Sequence, residues 1–447
     1  MVKAFFGGVH PDDMKAAVSG KAIEQIAPPG QVVISMSQHS GKPCTPTVRT
    51  GDSVRVGQRI GEPDGADSAP VHASVSGTVT AVEPRPGFMG EEPLSVAIKN
   101  DFQDTLSEEV KAPENPDVLT PAQLMELVKS AGIAGMASAS TAFIEISGGI
   151  GRVDTVIVDG AECQPCMTAD YRTMLERPGE VIGGATLLAR MFGLDKVHVA
   201  VTTNRMDAIG VLTEQARAAK APVIIHPLRT RYPQGAEKQI CQAVTGRMVP
   251  PGKLPAEIGC AVFNVSAVCA IYRAVTTGMP VVKRVVTVAG SGVISPKNLE
   301  CPIGTQVSAL LDACGGLRPD IRKLILGGPM TGTALNTAEV PVDKGISGVL
   351  AFTDEEGQTA EGTQCIRCGR CVSACPMRLE PLFLYQYAGK DMLSELEAFH
   401  LTDCIECGAC SYICPARLDL TDTFKAAKRR LSAGETAQAG RGEEPSK

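Results

Sequence analysis

Sixteen cysteines occur in the chain, and eight of them, near its C-terminal end, are spaced to bind metal. They form two runs of the pattern C-x2-C-x2-C-x3-C-P, at Cys365, Cys368, Cys371 and Cys375 and again at Cys404, Cys407, Cys410 and Cys414. In this spacing a tight loop holds one 4Fe-4S cubane with three thiolates, and the fourth cysteine, on the following helix, ligates the other cluster. The sequence therefore predicts two clusters that transfer single electrons, the first held by Cys365, Cys368, Cys371 and Cys414 and the second by Cys375, Cys404, Cys407 and Cys410.

Structural zinc is the alternative to the cubanes, because C-x2-C pairs also hold tetrahedral zinc. Two complete four-cysteine runs, each followed by a proline (Pro376 and Pro415), exceed what a zinc ion needs and favour the clusters. A glycine stands inside each run, Gly369 and Gly408, and we expect it to let the loop approach its cluster without a Cβ clash.

The other eight cysteines show no repeated spacing, apart from one C-x2-C pair. We interpret them as small apolar side chains of the core; they are Cys44, Cys163, Cys166, Cys241, Cys260, Cys269, Cys301 and Cys314. The sequence contains no P-loop, no G-x-S-x-G motif and no paired-histidine metal motif. We therefore predict no catalytic side chain.

Composition narrows the class of protein. The 447 residues are 44% hydrophobic and 21% charged, which is typical of a soluble globular chain of roughly three folding units. A net charge of −6 offers no basic surface for nucleic acid. No apolar run of about 18 residues could span a bilayer, and the first residues lack the apolar core of a secretory signal. We therefore expect a cytoplasmic protein with reduced thiols. Such a protein can still attach peripherally to a membrane complex.

The elements that must position the cysteines fall into several units, which makes the predicted fold class multidomain α/β and α+β. Residues 46–83 alternate apolar and polar side chains between glycine turns, like the barrel-sandwich fold of biotinyl and lipoyl carriers. Those carriers need a lysine at a hairpin tip, and none lies between Lys42 and Lys99. We therefore predict a barrel-sandwich domain of structural role at residues 1–110.

The part of the chain after residue 117 shows a different pattern of predicted strands and helices. Predicted strands at 153–158, 197–201 and 223–225 alternate with helices at 181–192 and 207–219, which favours a parallel sheet in an α/β domain at 118–262. A helix at 307–314 between strands at 284–289 and 323–326 suggests a β-grasp-like, soluble-ligand-binding domain at 263–350. A two-cluster, ferredoxin-like helical domain is expected at 358–431. The polar tail at 432–447 shows no apolar periodicity, and we predict that it is disordered.

Motifs outside the cysteine runs carry a resemblance to a known family. They are PVHASVSGTV at 70–79, DGAEC at 159–163, DYR at 170–172, YPQGAEKQ at 232–239, PKNL at 296–299 and GGPM at 327–330. In this order, together with the cysteine runs, they resemble the C subunits of Rnf ion-translocating oxidoreductase complexes over nearly the whole chain.

The resemblance implies a function. In that family the α/β domain is similar to the flavin subunit of respiratory complex I, where NADH gives a hydride to FMN and the flavin passes single electrons to clusters. It implies a peripheral subunit on the cytoplasmic side of the bacterial inner membrane, within a redox-driven translocase. Its partners would be integral membrane subunits and NAD(H), ferredoxin or another redox carrier.

The resemblance also implies flavin-site residues, with departures. Glu162, Gly235, Glu237 and Asn264 match positions beside FMN. The family's nucleotide loop, roughly GxGGAGFPTxxK, corresponds here to residues 135–146, which hold Ala137, Ser138 and Ser140 in place of glycines, Glu145, and no lysine. Asp159 and Gln164 stand where asparagine and glutamate are usual. We therefore predict that flavin or nucleotide binding is weakened, altered or lost.

Two other functions stay open at this stage. One is an iron–sulfur relay that takes electrons from another carrier, which the altered loop favours. The other is a cobalamin-reductase subunit of a bacterial microcompartment, which shares the flavin and iron–sulfur plan.

Overall fold

The computed structural model describes residues 4–39, 41–65, 68–87, 90–133, 136, 153–353 and 362–439. Apart from Met136, the predicted nucleotide loop at 135–146 lies outside the described residues. The chain forms two small sheets near its beginning, a parallel sheet flanked by helices, a mixed sheet, and a helical unit that carries the cysteine runs.

The N-terminal unit is built from short antiparallel strands. After helix α1 (Ala16–Ser19) and strand β1 (Ile23–Gln25), its strands are β2 (Gln31–Ser35), β3 (Thr45–Pro46), β4 (Ser53–Val54), β5 (Arg59–Glu62), β6 (Val71–His72), β7 (Gly77–Pro84) and β8 (Leu94–Asn100). They pair in the orders β2-β8-β7-β4 and β3-β5-β6. The apolar members of each strand, such as Ile34, Ile60 and Ile98, meet in one core between the sheets.

The second unit is the predicted parallel sheet. Its strands are β9 (Thr155–Gly160), β10 (Val197–Thr202), β11 (Val223–Leu228) and β12 (Cys260–Asn264), in the order β11-β10-β9-β12 with every pair parallel. Its helices are α2 (Pro121–Ser130), α3 (Ala169–Glu176), α4 (Pro178–Phe192), α5 (Met206–Ala218), α6 (Glu237–Thr245) and α7 (Val265–Thr277). The main core lies between one sheet face and α2, α4, α5 and α7, while α6 packs on the other face. The parallel α/β prediction is confirmed.

Local signals in the sequence explain where these helices begin and end. Thr120 caps α2 in a capping box with Gln123, and Pro121 occupies the first turn, where its missing N–H costs nothing. Gly193 ends α4 in a left-handed conformation (φ 63°), which glycine adopts without a Cβ penalty.

The third unit is a six-stranded mixed sheet. Its strands are β13 (Lys283–Ala289), β14 (Lys297–Pro302), β15 (Ile321–Leu326), β16 (Thr333–Leu335) and β17 (Gly348–Thr353), with α8 (Val307–Ala313) packed on its core. The strand order is β1-β14-β13-β17-β15-β16, so the edge strand β1 comes from the beginning of the chain. The finer β-grasp-like assignment stays a prediction.

The fourth unit is helical. It consists of α9 (Arg370–Ala374), α10 (Pro381–Ala388), α11 (Leu393–Ala398), α12 (Ala409–Ile413) and α13 (Leu420–Ala439), around a core that includes Leu384, Leu396 and Phe424. Helix α13 continues to Ala439, so residues 432–439 of the predicted disordered tail are helical. Residues 440–447 lie outside the described residues.

The N-terminal segment connects the units. The Gly8 amide donates to the Ala374 carbonyl of the helical unit (2.8 Å), and Val9 pairs with Tyr232 of the α/β unit. The buried Lys15 donates to the Glu162 carbonyl (2.5 Å), and strand β1 joins the third sheet. Residues that we predicted to belong to a separate N-terminal domain therefore contact each of the other three units.

Candidate functional site

The two cysteine runs line two separate cavities in the helical unit. The outer thiol cavity is lined by Cys365, Cys368, Cys371 and Cys414. The inner thiol cavity is lined by Cys375, Cys404, Cys407 and Cys410. The rest of each lining is largely apolar, for example Leu418 and Leu420 in the outer cavity and Leu384 and Phe424 in the inner one. Each cavity thus takes three thiols from one run and the fourth from the other.

Short helices create this exchange between the runs. Gly369 (φ 72°) and Gly408 (φ 78°) are the N-caps of α9 and α12, and Cys375 and Cys414 end those helices in an extended conformation. The left-handed N-cap favours glycine at both sites, and at Gly408 a Cβ would also lie 2.6 Å from the Met330 carbonyl oxygen.

A cubane and a zinc ion require different spacings of their thiolate ligands. Zinc–sulfur bonds of about 2.3 Å place four ligand sulfurs roughly 3.8 Å apart, whereas the ligands of a cubane bind different irons and lie further apart. Within the residues that the structure describes, no three His, Cys, Asp or Glu side chains are close enough to hold a single metal ion. Burial raises the pKa of the Cys407 and Cys410 thiols to about 12, and metal coordination deprotonates such thiols outright.

The two thiol cavities differ in exposure. Cys365 and Cys368 are exposed, and Ile366 between them is 67% exposed. In the inner cavity Cys375 and Cys410 are buried. The inner thiols are therefore more buried than the outer ones, two of which reach the surface.

Helix α13 supplies polar groups to the inner cavity. Lys428 Nζ donates to the Cys404 carbonyl (3.0 Å) and to Glu406 Oε1 (2.6 Å). The Thr421 hydroxyl lies 3.8 Å from Cys410 Sγ. A positive charge and a hydroxyl therefore stand beside the inner thiols.

A third cavity, the cofactor cavity, lies where three units meet. Its volume is about 450 Å³, and it opens at the carboxyl ends of β9 and β12, where parallel α/β sheets bind ligands. The α/β unit contributes its floor. Arg284, Thr331 and Ser347 of the third unit and Ile405 and Cys407 of the helical unit contribute walls.

All four predicted flavin-site residues line the cofactor cavity: Glu162, Gly235, Glu237 and Asn264. Two of them also hold helices. The Glu162 carboxylate accepts from the Asp170 amide (2.8 Å) and the Tyr171 amide (3.2 Å), at the beginning of α3. Asn264 Oδ1 accepts from the Ala267 amide (2.7 Å) as the N-cap of α7, and its Nδ2 donates to the Met136 carbonyl (2.8 Å).

The cavity floor is acidic. Burial raises the pKa of Asp159 and of Glu162 to about 7, and it also raises the pKa of Asp170. Two buried cations, Lys15 and Arg284, stand close to these carboxyl groups. The floor can therefore take up protons near neutral pH.

The backbone of Gly235 lies close to the Asp159 carboxylate. A Cβ on Gly235 would lie 2.9 Å from Asp159 Oδ2, so any larger residue would displace that carboxylate or narrow the cavity. A bare backbone at this point is what the flat face of a flavin ring needs.

Two side chains of the site, Cys163 and Tyr232, were not predicted from the sequence, and a third, Gln164, was noted only as a departure from the family pattern. Cys163, which we interpreted as a core residue, lines the cofactor cavity, and its Sγ accepts from the Gly235 amide (3.3 Å). Tyr232 donates its hydroxyl to the Cys407 carbonyl (2.6 Å). Gln164 Nε2 donates to Thr331 Oγ1 (2.7 Å). The only signals for them were the C-x2-C pair and the YPQG and DGAEC motifs. The other seven cysteines outside the runs are buried, as predicted.

The cofactor cavity and the inner thiol cavity share a wall. Ile405 and Cys407 line both of them. An electron donor in the cofactor cavity would therefore contact a cysteine that also lines the inner thiol cavity. Among the described residues, no helix is long and apolar enough to cross a bilayer.

Four family models match the chain in succession. They are the "RnfC Barrel sandwich hybrid domain" over residues 3–103, the "Nuo51 FMN-binding domain" over 128–273, the "SLBB domain" over 285–334 and the "4Fe-4S dicluster domain" over 359–415.

Curated proteins are similar over most of the chain, and each is the C subunit of its complex. That of the "Na(+)-translocating ferredoxin:NAD(+) oxidoreductase complex" of Acetobacterium woodii is 40% identical over 96% of this chain and 97% of that protein. That of the "Proton-translocating ferredoxin:NAD(+) oxidoreductase complex" of Clostridium ljungdahlii is 38% identical over 88% and 86%. That of the "Ion-translocating oxidoreductase complex" of Rhodobacter capsulatus is 37% identical over 85% and 73%.

Proposed function

Because this chain belongs to the family of C subunits of Rnf-type ion-translocating oxidoreductase complexes, we propose that it conducts electrons between NAD(H) and the other subunits of such a complex. It is an electron-transfer subunit of a redox-driven translocase, with a 4Fe-4S dicluster domain and an FMN-binding domain. The Acetobacterium woodii complex is named for sodium translocation and the Clostridium ljungdahlii complex for proton translocation. The proposal therefore names no coupling ion for the complex of this chain.

The ligand sets follow the two thiol cavities. Cys365, Cys368, Cys371 and Cys414 would hold the outer cluster, and Cys375, Cys404, Cys407 and Cys410 the inner one. Support comes from the shared lining of each cavity and from the absence, among the described residues, of a group that fits a single ion.

The cofactor cavity would hold FMN. When bound, a flavin accepts two electrons from NADH as a hydride and releases them singly, which a 4Fe-4S cluster requires. Gly235 leaves room for the ring, while Asn264 and Glu162 fix the helices that frame the cavity. The carboxyl groups of Asp159 and Glu162 titrate near pH 7 and can exchange the accompanying protons with solvent.

The shared wall carries the proposal. Cys407 and Ile405 line both the cofactor cavity and the inner thiol cavity, so electrons pass between flavin and inner cluster across one residue layer. The outer cavity opens to the surface at Ile366 and is the natural contact for a protein partner. We place that partner among the membrane subunits, on the cytoplasmic side of the bacterial inner membrane.

The experiment is a stoichiometric one. The chain is purified anaerobically, its iron and flavin are quantified, and its visible and EPR spectra are recorded before and after addition of NADH. We expect about eight irons per chain, one FMN, and cluster reduction that depends on NADH.

Two matched variants test the order of the clusters. Cys368→Ser disrupts the outer cluster and should leave NADH reduction of the inner one. Cys410→Ser disrupts the inner cluster and should leave the outer one unreduced by NADH. If NADH still reduces the outer cluster in Cys410→Ser, the proposed order of the clusters is wrong.

Eight irons without flavin or an NADH response would make the chain an iron–sulfur relay instead. The microcompartment alternative has no support among the relatives named above.

A further inference from the structure

Arg284 is a buried cation at the junction of two cavities. It lies on β13 of the third unit, is 3% exposed, and lines both the cofactor cavity and a second cavity of about 380 Å³. Its Nε donates to the Ile346 carbonyl (2.9 Å), which fixes the plane of the guanidinium. Its Nη1 is buried and has no hydrogen-bond partner among the described residues.

A guanidinium in this state is poised for an anion. Leaving a charged donor buried and unpaired costs free energy, and planar guanidinium groups bind phosphate with parallel hydrogen bonds. The nearby carboxyl groups are already engaged. Asp170 accepts from Ser266 Oγ (2.7 Å), and Asp343 accepts from the Gly345 amide (2.8 Å). Within the described residues, neither carboxylate lies within ion-pair distance of Arg284.

A second feature at the same junction favours phosphate. Helix α7 begins there, with Asn264 in the lining of the cofactor cavity and Ser266 in that of the second cavity. The N-terminus of a helix attracts anions through its free amides and its dipole. The 13-residue α7 therefore presents its positive end where Arg284 presents an unpaired donor.

Few other cations can serve a phosphate in the cofactor cavity. The sequence from 134 to 152 contains one cation, Arg152, which lies outside the predicted nucleotide loop at 135–146, and it carries Glu145. Lys238 lines the cavity, but its Nζ donates to the Pro250 carbonyl (3.3 Å). Lys15 donates to the Glu162 carbonyl.

We infer that Arg284 binds the phosphate of the flavin, together with the beginning of α7. The inference rests on the proposed function, because it requires FMN in the cofactor cavity. It makes the third unit part of the cofactor site, since Arg284 is that unit's contribution to cofactor affinity. It also accounts for flavin binding without a lysine in the nucleotide loop.

Riboflavin, which is FMN without its phosphate, isolates this contact. The cluster-loaded full chain is titrated with FMN and with riboflavin, and binding is followed by quenching of flavin fluorescence. The native chain should bind FMN roughly 10- to 100-fold more tightly than riboflavin, as expected for hydrogen bonds to a charged group. Arg284→Met should abolish most of that preference while its riboflavin affinity stays unchanged, which also shows that the variant is folded.

Two further variants sharpen the comparison. Arg284→Lys keeps the charge but loses the planar fork and should keep part of the preference. Arg322→Met removes the same charge from an exposed position on β15, outside both cavities, and should bind as the native chain does.

The outcomes separate the two proposals. If neither flavin binds, the flavin function fails and this inference fails with it. If both flavins bind equally to the native chain, or if Arg284→Met keeps the FMN preference, the flavin function stands and the role of Arg284 is refuted. If Arg284→Met instead raises only the KM for NADH, the guanidinium binds the nicotinamide nucleotide, which also overturns the assignment to flavin.

Discussion

Lys428 offers a direct test of how the protein tunes the inner cluster. Its Nζ lies 3.0 Å from the Cys404 carbonyl oxygen and 2.6 Å from Glu406 Oε1, both in the loop that carries the inner ligands. The Lys428 side chain is 26% exposed, so its charge is only partly screened. A reduced cluster carries one more negative charge than an oxidised one, and a nearby cation therefore favours reduction.

The size of the effect follows from Coulomb's law. A unit charge roughly 7 Å from the cluster, at an effective dielectric constant of about 20, contributes about 2.4 kcal/mol. For a one-electron couple this corresponds to about 100 mV. Solvent screening reduces the figure, so Lys428→Met should lower the reduction potential of the inner cluster by roughly 50 to 100 mV.

The assay is an EPR-monitored redox titration of the cluster-loaded chain. The outer cluster, which lies away from Lys428, should keep its potential and serves as an internal reference. Lys425→Met is the matched control, because Lys425 lies on the same helix and pairs with Asp422 (3.6 Å). An unchanged inner potential at full iron content, or an equal shift of both clusters, would refute the reasoning.

Three further predictions follow from single contacts. Burial raises the pKa of Asp159 from 3.8 to about 7, so the folded chain loses stability as pH rises through that window. Asp159→Asn should therefore raise the free energy of unfolding more at pH 8 than at pH 5, by up to about 3 kcal/mol, and unfolding temperatures at the two pH values measure the difference. An equal effect at both pH values would contradict this prediction. Gly408→Ala places a Cβ on a residue with a left-handed φ and also against the Met330 carbonyl, whereas Gly369→Ala has only the unfavourable φ. Iron should therefore be lost faster from Gly408→Ala. Equal rates of iron release from the two variants would count against the clash with Met330. Tyr232→Phe removes the hydrogen bond to the inner-cluster loop and should cost roughly 1 kcal/mol in thermal unfolding at unchanged iron content; no loss of stability would show that this bond is unimportant.

The sequence predicted those features that depend on spacing and periodicity. The cysteine spacing predicted an exchange of Cys375 and Cys414 between the runs, and the short helices after Gly369 and Gly408 bring each of these residues to the lining of its predicted cavity. The alternation of strands and helices predicted the parallel sheet, because a helix between two strands returns the chain to the same edge of the sheet. Thr120 and Pro121 are a typical start signal for a helix, and α2 begins there.

Other features depend on contacts between distant residues, and no local pattern encodes them. Resemblance placed Glu162 and Asn264 at the flavin site, but it did not reveal that both also cap helices. Arg284 lies in an ordinary strand pattern, KRVVTVA, and only the packing of the third unit on the α/β unit brings it to the cofactor cavity. Nothing in the sequence around Cys163 distinguishes it from the core cysteines, and only the structure shows that it lines the cofactor cavity.

The N-terminal segment shows most clearly why the site needs the whole chain. Electron transfer between the cofactor cavity and the inner cluster requires a fixed separation between two units that are far apart in sequence. Gly8 donates to the carbonyl of Ala374, next to Cys375 in the lining of the inner thiol cavity, while Val9 pairs with Tyr232 in the lining of the cofactor cavity. One short stretch of backbone therefore contacts both the lining of the cofactor cavity and that of the inner thiol cavity. Because backbone hydrogen bonds leave no signature in side-chain types, only the structure shows that this segment connects the two cavities.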